Sequence, residues 1–181
     1  IDGSTTKDLT FNNGLIVSIA VAAASVASSD KVQSASKRST ICVTTYFDDK
    51  EIDVDPESDD ENQMIFQQFP RVTELTSDLP QWINDTSRTT AEGEHFEWVA
   101  DDINGPLFID GPIMPPSTLI WAAYDNAGYP ESTPMIDLPS KIYDILKSYI
   151  NGVEKFILAD TPVFGVQNST SATRVLDALV E

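Results

Sequence analysis

The apolar run from Leu15 to Ala27 sets the scale for the whole chain, because it is only 13 residues long and is interrupted by Ser18 and Ser25. A membrane-spanning helix needs about 20 apolar residues, so this run is too short to cross a bilayer. A secretory leader needs a basic stretch ahead of its apolar one, and here only Lys7 precedes the run, beside aspartates. The opening Leu15-Ile16-Val17-Ser18-Ile19-Ala20-Val21 alternates instead. It predicts a buried strand after an Asn12-Asn13-Gly14 turn, with Leu15, Val17, Ile19 and Val21 sharing one face.

The same short scale recurs along the chain. Ser39–Phe47 is rich in β-branched residues and predicts a second strand, with Thr40, Cys42, Thr44 and Tyr46 on one side. Glu51-Ile52-Asp53-Val54-Asp55 alternates strictly and predicts an exposed continuation stopped by Pro56. Met64, Ile65, Phe66 and Phe69 form an apolar patch compatible with either element type. Leu79–Ile83 predicts a short helical turn, residues 84–95 a loop, and His95–Ala100 a strand with Phe96 and Trp98 on one face. Leu107–Ile109 and Leu119–Tyr124 predict further strands between Asn-Gly-Pro, Asp-Gly-Pro and Asp-Asn-Ala-Gly turns. Seven of eleven prolines fall between Pro106 and Pro139, which leaves little room there for long helices.

One helix is plain. After Pro139, residues Ile142, Ile145, Leu146, Tyr149, Ile150 and Val153 recur at helical spacing, and Asn151-Gly152 offers a stop. Phe156–Leu158 and Val163–Val166 predict two last strands, and Ser171–Val180 a short C-terminal helix. The expected fold is therefore mainly β, an antiparallel sandwich or jelly-roll-like domain with an amphipathic helix near 140–153. The acidic run suggests a division into a strand pair with an acidic tail (1–60) and a β-rich portion with C-terminal helices (61–181), with one continuous domain as the alternative.

That run is the strongest charge feature of a chain with formal charge -18: nine of the fourteen residues from Asp48 to Glu61 are acidic. Such a balance argues against a sequence-independent grip on phosphates, because nucleic-acid binding needs a basic footprint, and direct sequence-specific nucleic-acid binding is not expected either. Hard cations want several oxygen ligands, and Asp53, Asp55, Glu57 and Asp59 stand at every second position. Calcium would suit such a site, but Ser58 stands where the glycine of an EF-hand loop would be, and a solvated connection or exposed hairpin edge is the simpler reading of the run. One cysteine and one histidine exclude an internal disulfide and a conventional zinc cluster.

Catalytic signatures are sparse. His95 is the only imidazole, flanked by Glu94 and Glu97, and neither Cys42 nor Ser117 sits in a nucleophile motif. Asp101, Asp102 and Asp110 are the acids best placed for a glycosidase pair, with turn capping as the simpler role. Trp98, Trp121 and Tyr124 are candidates for subunit contacts or for stacking on a ligand. Gly14–Ile19, Ser39–Asp49 and Ile52–Val54 together resemble the last two strands of the capsid jelly rolls of picorna-like RNA viruses. That resemblance covers about 45 residues and implies a virion or extracellular coat protein.

The expected function is thus non-enzymatic: a self-assembling structural protein, most simply a virion coat or surface protein forming homo-oligomers, with no required cofactor. A secreted carbohydrate- or cation-binding β-sandwich module is the alternative, and an acid-pair glycoside hydrolase the second.

Overall fold

The computed structural model describes residues 1–6, 9–11, 14–25, 37–47, 54–70, 79–103, 105–116, 119 and 138–166. Two predicted strands form where the β-branched alternation is strongest, β3 (Ile16–Ala23) and β4 (Ser39–Phe47), paired antiparallel from Ile16–Tyr46 to Ala23–Ser39. Two shorter strands, β1 (Asp2–Thr5) and β2 (Leu9–Thr10), pair with the other edge of β3. The undecided patch around Met64 is β5 (Asn62–Pro70), parallel to β4 along its whole length. β5 thereby carries this five-stranded sheet across the division expected at residue 60.

A second, two-stranded sheet pairs β6 (Leu107–Asp110) parallel to β7 (Val163–Val166). Two backbone bonds join it to the first. The Ile1 nitrogen donates to the Phe108 carbonyl (2.6 Å), and Asp110 N–H donates to the Ile1 carbonyl (3.0 Å). This is the parallel-bridge pattern, with Ile1 opposite Ile109. These two bonds set β6 beside the start of β1, alongside the five-stranded sheet β1-β3-β4-β5 with β2 on β3.

Two 21-residue helices, α1 (Leu79–Val99) and α2 (Leu138–Leu158), complete the chain; α1 packs on β3 and β4, and α2 packs on α1. The fold is mixed α/β, not the expected antiparallel sandwich or jelly roll. Leu79–Ile83, residues 84–95 and most of His95–Ala100, expected as turn, loop and strand, are one continuous helix. The misreading has a physical cause. Because α1 is buried on both sides, it shows the sheet a face of Thr86, Ser87, Thr90 and Ala91 rather than an apolar stripe. Ser87 donates to the Cys42 carbonyl (3.0 Å), while Thr86 and Thr90 donate to carbonyls one turn earlier in their own helix.

α2 keeps its predicted stripe but runs through the Asn151-Gly152 stop to Leu158, absorbing the strand expected at 156–158. Ile150, assigned to the buried stripe, is exposed, as are Ile157 and Leu158. On β3 the covered face is Ile16, Ser18, Ala20 and Ala22, one residue out of phase with the expected face. On β4 the Thr40, Cys42, Thr44 and Tyr46 face is buried as a set. Val54 and Asp55 belong to no strand, and Glu51–Asp53 lie outside the described residues. So do Trp121, Tyr124 and the tail 171–180. Leu119 is buried against Ile142 and Leu146. Among the described residues no helix is long and apolar enough to cross a membrane.

Phe96 anchors the helix layer, its ring edge-on to Tyr149 (5.3 Å) and Phe156 (6.4 Å), in a cluster with Val99, Leu107, Ile109 and Val153. Glycines set the closeness of the crossing. A Cβ on Gly93 would stand 2.8 Å from Tyr149 Cα, and one on Gly152 would stand 2.8 Å from the Gly93 carbonyl oxygen. Gly93→Ala gains about 1 kcal/mol of helix propensity but must push two backbones apart, and overpacking costs about 1–3 kcal/mol. The variant is therefore expected to be less stable, with a lower urea midpoint at unchanged m-value; a raised midpoint would contradict this packing.

Candidate functional site

Pairing of Ile1 with Ile109 places Asp2 beside Asp110 on adjacent parallel strands. Both aspartates are exposed, whereas Ile109 turns inward to Phe96 and Tyr149. The chain leaves β6 immediately after Asp110. Gly111, at φ 140°, donates its N–H to the Val166 carbonyl (2.9 Å) and bends away from β1. β1 continues toward β3, while β6 continues through α2 to β7 on the other side. The notch therefore lies where β6 ends and β1 begins.

The notch between the parting strands receives a third acid from the helix layer. Glu92 lies over Gly3, where an added Cβ would overlap its carboxylate. Gly3 is thus required by close approach. Glu92 is 6% exposed. Burial pushes its pKa up and the nearby Asp2 charge adds to this, while Arg88 opposes both. Arg88 precedes Glu92 by one helical turn; its Nε lies 2.7 Å from Glu92 Oε1, and its Nη2 donates to the Asp110 carbonyl (2.9 Å). Burial disfavours the guanidinium charge, but Glu92, Asp2 and Asp110 together hold its pKa above the usual arginine value. Tyr149 closes the inner side, donating to the Pro112 carbonyl (3.4 Å), its pKa raised by burial and by Glu92.

On the open face, Asp2 and Asp110 line a depression of about 290 Å³ with Ala23, Ser25, Phe108 and Val166. Phe108 and Phe164 stack at its margin with centroids 5.2 Å apart, and both are about half exposed. Among the described residues no three His, Cys, Asp or Glu side chains already stand at coordinating positions. Asp2 and Asp110 face the depression, whereas Glu92 lies against Gly3 outside its lining, and Arg88 bonds both Glu92 and the Asp110 carbonyl.

The residues singled out from the sequence lie elsewhere, Asp110 excepted. Of Asp53, Asp55, Glu57 and Asp59, the first lies outside the described residues. Asp59 accepts the Glu61 and Asn62 N–H groups (2.8 and 2.6 Å), which lower its pKa and make it a turn cap. Asp59 and Trp98 do meet, across an open depression shared with Glu94 and Glu97. The acids there are engaged, Glu97 with Lys155 and Glu94 with Ser148. Arg38 covers the Trp98 ring at 5.1 Å and pairs with Asp102 at the end of α1. Cys42 is buried, its thiol pushed up to about 11 chiefly by burial, and is inert as a nucleophile.

Asp2 and Glu92 were missed because any pair among 29 acids is uninformative. A signal was nevertheless present. The tripeptide Ile-Asp-Gly occurs at residues 1–3 and again at 109–111, and these two copies are the ones that pair.

His95, expected to begin a strand, is fully buried on α1 with Nδ1 3.1 Å from Thr40 Oγ1 and Nε2 without a partner. Burial foremost, then neighbouring positive charge including Arg38, lowers its pKa from 6.5 to about 4. Above the higher value the ring is neutral whether folded or not. Between pH 6.5 and 4 the unfolded chain takes up a proton that the folded chain refuses, so stability falls with pH, by up to about 3 kcal/mol. Urea titrations of the protein and of His95→Gln should show this acid slope in the first and its loss in the second. Comparison with protein-family models, with curated proteins and with solved structures finds no match.

Proposed function

We propose that this chain cleaves phosphodiester bonds of a nucleic-acid strand with divalent cations held by Asp2, Asp110 and Glu92. The observation that carries the reading is that Asp2, Asp110 and Glu92, acids from three distant segments, are brought near one another where β6 ends and β1 begins, with Gly3 leaving room for Glu92. Carboxylate oxygens are the donors that Mg²⁺ and Mn²⁺ prefer. The open depression suits a polymer lying across the sheet better than a small molecule enclosed in a pocket.

Bound divalent ions supply Lewis-acid polarisation of the phosphate and activation of water. The chain's own groups do the rest. Asp2 and Asp110 follow the paired Ile1 and Ile109 and are both exposed. Glu92 closes the notch from beneath, its position fixed by the α1–α2 crossing. Phe108 and Phe164 offer a surface on which nucleobases stack, bringing the scissile bond to the acids. The reading makes the chain an enzyme, in place of the non-enzymatic coat protein, whose jelly-roll premise the fold removes.

Asp2→Asn and Asp110→Asn should each lower kcat about 100-fold or more while leaving the thermal midpoint nearly unchanged, since both side chains are exposed. Nuclease assays on single- and double-stranded substrates with Mg²⁺ or Mn²⁺ check this, and full activity in either variant would contradict the assignment. Substrate affinity should also vary little with salt. Arg88 is the only described basic side chain bonded into the notch, so one phosphate contact predicts a roughly three- to fourfold loss between 50 and 200 mM salt.

A further inference from the structure

We propose that the outer face of α2 docks a second copy of this chain, the two helices lying antiparallel about a two-fold axis at Ile150. α2 buries one side against α1 and Leu119, yet large apolar side chains stand in solvent along its other side. Tyr143 is 61% exposed, Ile150 48%, Ile157 59% and Leu158 78%. Single exposed apolar residues are ordinary on a protein surface, but these have a period: Tyr143, Ile150 and Ile157 stand seven residues apart. On a helix of 3.6 residues per turn that spacing keeps three side chains in one slowly drifting line, the seam that one helix presents to another.

The charges beside the seam choose the occupant. α2 carries three lysines against two acids, in a chain whose formal charge is -18, so this face lacks the acidity that would drive two copies apart. Two of its lysines are used within the chain. Lys141 donates to the Gln68 carbonyl (3.3 Å) and Lys155 to the Glu97 carboxylate (2.8 Å). Lys147 and Glu154 are exposed and have no partner among the described residues. Both lie on the same side of the seam, three residues before Ile150 and four after it.

Turning a copy of α2 end for end on Ile150 matches these features. Tyr143 meets Ile157 of the copy, Ile150 meets its own counterpart, and Lys147 comes opposite Glu154. Each unlike pair then occurs twice, once in each direction, as a two-fold contact requires. A parallel pairing would set lysine against lysine and glutamate against glutamate. A partner of a single charge sign would satisfy one of the two residues and repel the other. The seam of one helix is smaller than the roughly 800 Å² per partner of a standard interface, so the association is weak and reversible.

Sedimentation velocity of the full chain, run from about 5 to 500 µM to suit a contact of this size, should show one copy passing to two as concentration rises. Ile150→Lys sets two like charges against each other on the axis and should weaken association at least about tenfold. Its circular dichroism and dilute-solution thermal midpoint should stay the same, because the side chain is half exposed. Lys147→Glu and Glu154→Lys should each weaken association about three- to tenfold, and the two together should restore it, since the pair is then only reversed. A chain that remains single throughout the range would overturn the proposal. So would a dimer left intact by Ile150→Lys, or single charge exchanges that have no effect. Weakening by both exchanges without recovery in the double variant would overturn the antiparallel pairing.

Discussion

The site depends on how closely α1 lies against the sheet. Ala20, Ala22 and Cys42 on the strands cluster with Ala91 on the helix, Ser87 donates to the Cys42 carbonyl, and Gly3 lies against Glu92. On the far side, Gly93 and Gly152 allow α2 equally close. A helix held on both faces cannot shift to relieve strain on one of them, so Glu92 is delivered to Gly3 with little freedom. The polar atoms this packing buries are largely answered within the layer: Ser87 by the Cys42 carbonyl, Gln67 by Thr44 and Thr90. Small residues cost apolar area, and the ring cluster around Phe96 and Tyr149 makes up for it one layer out.

This arrangement explains which parts of the fold were legible. β4 could be read because one of its faces meets a helix and its β-branched residues alternate accordingly. α2 could be read because only one side of it is buried, which gives the 3.6-residue stripe from Ile142 to Val153. α1 could not, since two-sided burial replaces an apolar stripe with threonine, serine, alanine and glycine. The same effect made Phe96 and Trp98 look like one strand face. In the helix Phe96 packs on Tyr149, whereas Trp98 turns to Arg38. At the end of α2, only Phe156 of the apolar triplet is covered, so a local run of three was mistaken for a strand.

The site was less legible than the fold, for a reason of distance. Asp2, Glu92 and Asp110 come together only through the Ile1–Ile109 bridge and the burial of α1, and both are long-range events that no local pattern encodes. The two Ile-Asp-Gly segments share a chemistry: an isoleucine for the core, an acid for the open face, and a glycine where a side chain would obstruct. In the first copy the obstruction would be Glu92; in the second, the positive φ of Gly111 turns the chain away from β1. Read as turn formers, these aspartates and glycines carry no such meaning.

Net charge bears on the proposed substrate. A formal charge of -18 argues against a broad electrostatic grip on a polyanion, and the described residues do not assemble a basic surface to provide one. But at physiological salt the field of a charge decays over about 8 Å, so most of those acids are screened from a phosphate at the notch. What such a phosphate meets is the local balance: Asp2, Asp110 and Glu92 against Arg88 and any cations the acids hold. Two divalent ions would carry four positive charges into a space bounded by three negative ones. The notch would then attract a phosphate on a molecule whose total charge repels it, and the chain's acidity becomes the means by which that positive charge is gathered.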